Sequence, residues 1–243
     1  FFAQGDWEKT VVWARKLQAV KAEPSQLIRA GYREIYEAAF PIRDERESLE
    51  TFCEALTAPS DEVRYIINIL GWNLNDPEQR KLGCFGVANY YPKQDVGLLA
   101  YVATLPEYQI QGLAKITVNR MAEDTYHMAR QFGGTLRGLF GEVNDPDKVS
   151  ADEDSFDPRK RLAMYIRWGY QVVPIDYVQP ALGPGQQKFE GLKLLNIPHP
   201  GTGDYAGPKA IAAFIDGIYR ELGTDPDTSP DVARMYAQLS ELA

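Results

Sequence analysis

Pro106-Glu107-Tyr108-Gln109-Ile110-Gln111-Gly112-Leu113-Ala114-Lys115 lies where an apolar strand gives way to a long helix, and that junction decides how the chain is read. The strand is spelled Val96-Gly97-Leu98-Leu99-Ala100-Tyr101-Val102-Ala103, and the helix begins at Gly112. Ala114, Val118, Met121, Met128 and Phe132 form an apolar stripe at roughly helical spacing, and Gly133-Gly134 ends it. N–H groups in the first turn of a helix lack intrahelical partners, and the aligned peptide dipoles add partial positive charge there. An anion such as a pyrophosphate therefore needs no basic side chain at this turn. Gly112 lets it approach the main chain closely.

Upstream, residues 63–72 and 83–91 are rich in β-branched and aromatic side chains and predict two strands joined by a polar turn at 73–81. With the strand at 96–104 they form a meander. Before them, Pro24 opens a helical pattern through Leu27, Ile28, Tyr32, Ile35, Tyr36 and Phe40 that Pro41 ends, and 48–56 predicts a second helix. Residues 1–23 fit either an amphipathic helix from Trp7 to Leu17 or a strand beginning at Leu17. Downstream, TLRGLFGEV at 135–143 and YQVVPIDYV at 170–178 read as strands. Between them, Leu162-Ala163-Met164-Tyr165-Ile166-Arg167-Trp168-Gly169-Tyr170 reads as a helix closed by glycine.

Gln109-x-x-Gly112-x-Ala114 resembles the Q/R-x-x-G-x-G/A signature of the GNAT acetyltransferase superfamily, and Pro106-Glu107-Tyr108 is similar to the residues that commonly precede it. The segment 162–170 resembles a second GNAT feature, a helix with a Tyr four residues before a Gly-aromatic pair. The resemblance spans about residues 24–195 in element order, with its motifs at 98–115 and 139–170. It implies an α/β (α+β) fold with a mixed, mainly antiparallel central sheet flanked by helices. Residues 1–200 would form one acyl-CoA-binding domain, with 1–23 as an unassigned N-terminal element. Residues 201–243 would form a C-terminal two-helix extension, with helical patterns at 207–222 and 230–242 around the break TDPDTSPD. That extension reads as a packing element, with a homodimer contact or a wall of the acceptor pocket left open.

A chain of 243 residues with 44% hydrophobic content can bury one sizeable core. Cys53 and Cys84 are too few for a disulfide framework, no basic-then-apolar leader is evident, and no apolar run approaches the ~18 residues of a membrane span. The expectation is a cytoplasmic protein with no membrane partner. A net charge of -8, from 34 acidic and 26 basic residues, disfavours nucleic acid as a partner.

The resemblance further implies acetyl-CoA, or another acyl-CoA, as co-substrate, no metal, and the primary amine of a small molecule as acceptor. The implied cofactor-binding positions are Val102, Ala103 and Thr104 on the strand, and Gln109, Ile110, Gln111, Gly112, Leu113, Ala114 and Lys115 at the turn. These contacts are mainly to the main chain, so the chain can depart from the family at Ile110 and Ala114, where many relatives carry Gly. Acyl transfer from a thioester to an amine needs a neutral amine, an oxyanion donor and a proton source for the thiolate. Tyr165 stands at the family position for that proton source, since a phenol of pKa ~10 is protonated at neutral pH; a ring packed beneath the sheet is the other reading. Glu142 ends the strand beside the cofactor strand and can serve as general base, as a binder of a cationic acceptor, or as a loop cap. Glu107 is a weaker candidate base. Asn144 can stand in for the Asn that many relatives carry before the helix tyrosine, where this chain has Pro158 and Arg161.

Residues 142–157, EVNDPDKVSADEDSFD, hold seven acids and one lysine and read as a solvated loop or as an electrostatic lure for an amine. Their spacing lacks the glycine and terminal glutamate of a calcium loop. The connection 177–185 reads as a hairpin loop or as a wall of the acceptor pocket. His127 and His199 lack metal-ligand spacing, and no G-x-S-x-G elbow is present. Two rival readings remain: a GNAT-fold transferase that takes its acyl group from aminoacyl-tRNA or a carrier protein, and a non-catalytic acyl-CoA-binding protein.

Overall fold

The computed structural model describes residues 26–41, 46–58, 60–74, 76–152, 154–183 and 185–242. The element expected at 1–23 and the helix start at Pro24 lie outside the described residues, as do Glu153 and Pro184. Helix α1 runs through Gln26–Gly31, a π-helical turn at Tyr32–Tyr36 and Glu37–Ala39. It stops at Phe40 because the proline that follows disfavours helical backbone in the residue before it. Helix α2, Leu49–Thr57, starts where the Ser48 hydroxyl accepts from the Thr51 N–H at 3.1 Å.

Strands β1 (Arg64–Trp72), β2 (Lys81–Tyr91) and β3 (Val96–Thr104) form the expected antiparallel meander. A 3₁₀ turn at Pro106–Tyr108 leads into α3 (Leu113–Gln131), a crossover helix that lets β4 (Gly138–Asn144) pair in parallel with β3. Then follow α4 (Pro158–Arg167), β5 (Gln171–Val172), β6 (Leu192–Ile197), α5 (Pro208–Glu221) and α6 (Pro230–Ser240). The strand order is β1-β2-β3-β4-β6-β5, and among the described residues β3/β4 is the one parallel pair beside antiparallel ones. This is the mixed, mainly antiparallel, helix-flanked sheet expected from the sequence.

Alternation along the strands sends side chains to two cores. Phe85, Val87, Leu98 and Phe140 pack on one face with Tyr36 of α1, Phe52 of α2, Phe214 of α5 and Met235 of α6. Ala88, Leu99, Leu139 and Val143 pack on the other with Val118, Met121 and Met128 of α3 and with Tyr165 of α4. The C-terminal helices thus share the core of the first face, where Phe214 is completely buried.

Two expected strands are shorter in the structure. The one expected at 135–143 begins only at Gly138, because Asp95 gathers the segment before it. Its carboxylate accepts from Thr135 N at 2.9 Å, Thr135 Oγ1 at 3.1 Å, Leu136 N at 3.0 Å and the Tyr90 hydroxyl at 3.0 Å. Asp95→Ala should therefore lower folding stability by about 2–3 kcal/mol, since the buried donors Tyr90 Oη and Leu136 N lose a charged acceptor; urea unfolding measures it. The strand expected at 170–178 reduces to Gln171–Val172. After Val173 donates to Leu194, Pro174 offers no N–H, and the bonds Ile175 N to Val173 O and Tyr177 N to Ile175 O bend the chain inward in successive three-residue turns.

Candidate active site

The turn after β3 is exposed from Gln109 to Gly112 and is braced from its own ends. Gln109 Nε2 donates to Thr104 O at 3.4 Å, and Gln111 Nε2 donates to Glu107 O at 3.0 Å. Gly112 has φ +85° and forms the N-cap of α3, with no side chain capping the helix and no acid in its first turn. The free N–H groups and the dipole end are the donor set a pyrophosphate requires. Leu113 is buried against Leu70 and Cys84, anchoring the helix start. Lys115 Nζ lies 4.8 Å from the Trp168 ring centroid and 5.4 Å from that of Tyr170, so it ties α3 to the end of α4, and burial lowers its pKa.

Ile110 has φ +65° and a fully exposed side chain. A β-branched residue in the left-handed region is strained by about 1–2 kcal/mol, and no packing contact offsets the strain. Ile110→Gly should raise the melting temperature, with a net gain of about 1 kcal/mol after the added chain entropy of glycine.

Beside the turn the sheet opens. Parallel pairing of β3 with β4 runs from Val96↔Gly138 to Leu99↔Gly141 and then stops. The cause is Ala100, because β2 pairs Val87 with Tyr101 and Ala88 with Leu99, leaving Ala100 as the extra residue of a bulge that bends β3. Beyond it the β3 edge, which includes Val102, Ala103 and Thr104, no longer bonds to residues 142–144, while β4 stays paired with β6 as far as Asn144↔Leu192. A wedge lined with unpaired main-chain groups results. It matches an amide-bearing pantetheine chain entering as a strand would.

Glu142 lies on the face of α1 and α5, at the mouth of this wedge. It lines a cleft of about 600 Å³, open mouth included, with Phe40, Tyr101, Gln179 and Phe189. Its Oε1 accepts from the Tyr177 hydroxyl at 2.5 Å and its Oε2 from Gln179 Nε2 at 2.9 Å. Burial raises its pKa to about 7, helped by the negative charge of Glu221, although the two hydrogen bonds oppose the shift. Tyr165 lies on the opposite face, packed in the core that includes Val102. Its ring stacks on Tyr170 at 5.5 Å and meets Trp168 edge-on at 5.4 Å. Burial lifts its pKa above the ordinary 10, so its hydroxyl stays protonated. The β3–β4 opening is where groups from these two faces can address one point.

The other expected residues fall into place around this pair. Asn144 donates to Asp154 at 2.8 Å, and Asp154 takes both arms of Arg161 at 2.8 and 2.7 Å, so Asn144 braces the cleft and does not meet the turn at 109–115. The acidic loop is neither purely solvated nor a free lure. Asp145 pairs with Lys193 at 2.9 Å, Asp147 with Arg159 at 3.1 Å, and Asp157 caps α4. Glu107 is exposed in the 3₁₀ turn, away from Glu142. His199 accepts from Gly201 N at 2.9 Å and lies 3.0 Å from Thr135 O, a turn-bracing role. Tyr177 and Gln179 belong to the connection 177–185, which reads from sequence as a hairpin loop or a pocket wall, and their pairing with Glu142 comes from the inward bend at 173–177. Among the described residues no cluster of His, Cys, Asp or Glu is placed to hold a metal ion, and no helix is long and apolar enough to cross a membrane.

No protein-family model matches this chain, and neither does any curated protein. Solved structures do resemble it. The ribosomal-protein-S18-alanine N-acetyltransferase from Escherichia coli is 17% identical, with a TM-score of 0.47 over 80% of this chain and 97% of its own. A putative GNAT-family acetyltransferase from Desulfovibrio desulfuricans is 17% identical, with a TM-score of 0.49 over 76% and 96%. The diaminobutyrate acetyltransferase of Paenibacillus lautus, in complex with L-2,4-diaminobutyric acid and coenzyme A, is 14% identical, with a TM-score of 0.42 over 76% and 93%. Strand order, the bulge that splays β3 from β4, and the glycine turn that opens α3 make the fold of this chain GNAT-like.

Proposed function

We propose that this chain is an acyl-CoA-dependent N-acyltransferase that transfers acetyl from acetyl-CoA to the primary amine of a small molecule by direct attack. The observation that carries the reading is the wedge beyond Leu99/Gly141, with a carboxylate of pKa about 7 on one side and a protonated phenol on the other. The uncapped start of α3 suits the pyrophosphate, and the unpaired edge of β3 suits the pantetheine amides. Glu142, held by Tyr177 and Gln179, takes a proton from the acceptor ammonium, directly or through water, and frees the amine lone pair. Main-chain N–H groups of the splayed β3 edge stabilise the oxyanion that develops on the thioester carbonyl. Collapse of that intermediate forms the amide and breaks the C–S bond; the attacking nitrogen gives up its second proton to water, the Tyr165 hydroxyl supplies the proton to the leaving sulfur, and solvent reprotonates the phenolate. No covalent enzyme intermediate is required.

Calorimetric titration with acetyl-CoA, followed by a thiol-release assay with primary amines, tests the reading. Micromolar binding and amine-dependent thiol release are expected, and Tyr165→Phe should lower kcat by about 10- to 100-fold with binding retained. Absence of acetyl-CoA binding would overturn the assignment. Binding without turnover, unchanged by Glu142→Gln or Tyr165→Phe, would point to an acyl-CoA-binding protein instead.

A further inference from the structure

Behind Glu142 lies a second group of acids that the transfer step does not use. Glu47 accepts from the Tyr65 hydroxyl at 2.6 Å, and the same hydroxyl lies 3.1 Å from Glu221 Oε1. The Tyr91 hydroxyl donates to Glu221 Oε2 at 2.7 Å. Tyr36 accepts from the Glu47 N–H at 3.0 Å, and its ring meets that of Tyr101 edge-on at 5.0 Å; Tyr101 lines the cleft beside Glu142. Ring contact and hydrogen bonds thus lead from the cleft toward the two inner carboxyls.

Glu47, Glu142 and Glu221 all lie deep in the fold, and burial is the largest cause raising the pKa of each. Each nevertheless keeps part of its surface accessible, as does Tyr101, and Tyr101 and Glu142 line the cleft. Among the described residues no Lys or Arg forms an ion pair with any of the three acids. A separate observation points the same way. Asn89 is 4% exposed, stands directly opposite Tyr65 in the β1–β2 register and two residues before Tyr91 along β2, and among the described residues its Oδ1 has no hydrogen-bond partner. Two carboxyls and an orphaned amide oxygen are all acceptors, and tyrosine rings surround them. A primary ammonium group brings three donors and a positive charge, which is what this set lacks.

We propose that the acceptor is a linear diamine or polyamine, with its reacting nitrogen at Glu142 and a second ammonium group held by Glu47, Glu221 and Asn89 Oδ1. This rests on the transferase reading above. Asn89 and Glu142 are two strands and two residues apart in register, on the order of 12 Å between backbones, a span that after side-chain reach corresponds to roughly four to six carbons between the nitrogens. The ammonium favours the ionised carboxyls, so binding should release protons to the buffer.

The test is calorimetric titration of the full chain at pH 7.5 with 1,4-diaminobutane, 1,5-diaminopentane and butylamine, in buffers of different ionisation heat. A diamine is expected to bind at least tenfold more tightly than butylamine, with proton release. Glu221→Gln and the second isosteric variant Glu47→Gln, each checked for a cooperative melt, should abolish that preference. Equal binding of butylamine, or a preference that survives both substitutions, would overturn the proposal. Thiol release with the same amines separates the two readings. Diamine binding without thiol release counts against the transferase and supports the cation site; equal thiol release from butylamine and diamines, without preferential binding, does the reverse.

Discussion

Replacing Glu142 by Gln is expected to lower kcat by about 100- to 1000-fold while leaving the affinity for acetyl-CoA within about twofold. The carboxylate is buried and stands at the wedge, where a base is needed, and its pKa of about 7 makes it partly ionised at neutral pH yet basic enough to accept a proton. Tyr177 and Gln179 both donate to it, so the ionised form is the one they orient. Glutamine keeps the shape but presents an NH₂ toward one of these donors and has no basic oxygen. In the wild type, kcat/KM should rise as pH increases through about 7, because ionisation of Glu142 creates the base; that limb should vanish in the variant. A Glu142→Gln enzyme within threefold of wild type would reduce the carboxylate to acceptor binding and leave proton removal to water. Stability should respond to pH in the opposite sense. A carboxyl whose folded pKa is raised stabilises fully below its ordinary 4.5 and loses that contribution as pH climbs through about 7, so the melting temperature should fall over that window.

Gly112→Pro is expected to weaken acetyl-CoA binding by at least about 100-fold, equivalent to roughly 2.7 kcal/mol. Proline holds φ near −65°, whereas Gly112 requires +85°, so the turn cannot keep its shape. The substitution also removes one N–H from the group that faces the proposed pyrophosphate. Gly112→Ala separates the two causes. No atom lies within 4 Å of an added Cβ, so alanine suffers only the left-handed backbone cost of about 1–2 kcal/mol and keeps its N–H. The expected order of affinity is wild type, then alanine, then proline, with the first two closer together. Proline and alanine variants that bind as tightly as wild type would move the pyrophosphate site elsewhere.

Much of the architecture was legible because it rests on local rules. The meander at 64–104 follows from β-branched and aromatic alternation, and α2 from Ser48 ahead of its apolar face. The turn at Gln109–Gly112 was readable from a glycine set between an apolar strand and a helical apolar stripe. The strand at 170–178 misled because its apolar pattern is real, but those side chains fill the core around α5 instead of extending a ladder. The acidic loop misled in a related way, since charge counts do not say which acids find partners. Asp154 meets Arg161 and Asp145 meets Lys193 only after α4 and β6 have docked.

The sequence by itself determined the order of the main elements, because strand period, helical spacing and glycine placement act over a few residues, while Tyr165 became a candidate through the resemblance and Glu142 through its place at a strand end. Tertiary structure decided what those candidates can do. The bulge at Ala100 opens the sheet between two faces, Tyr177 and Gln179 arrive across 35 and 37 residues to orient Glu142, and Glu47, Asn89 and Glu221 come from three separate segments to the neighbourhood of Tyr65. Burial and the approach of distant carboxyls set the pKa of each acid, and both are properties of packing that no local pattern encodes.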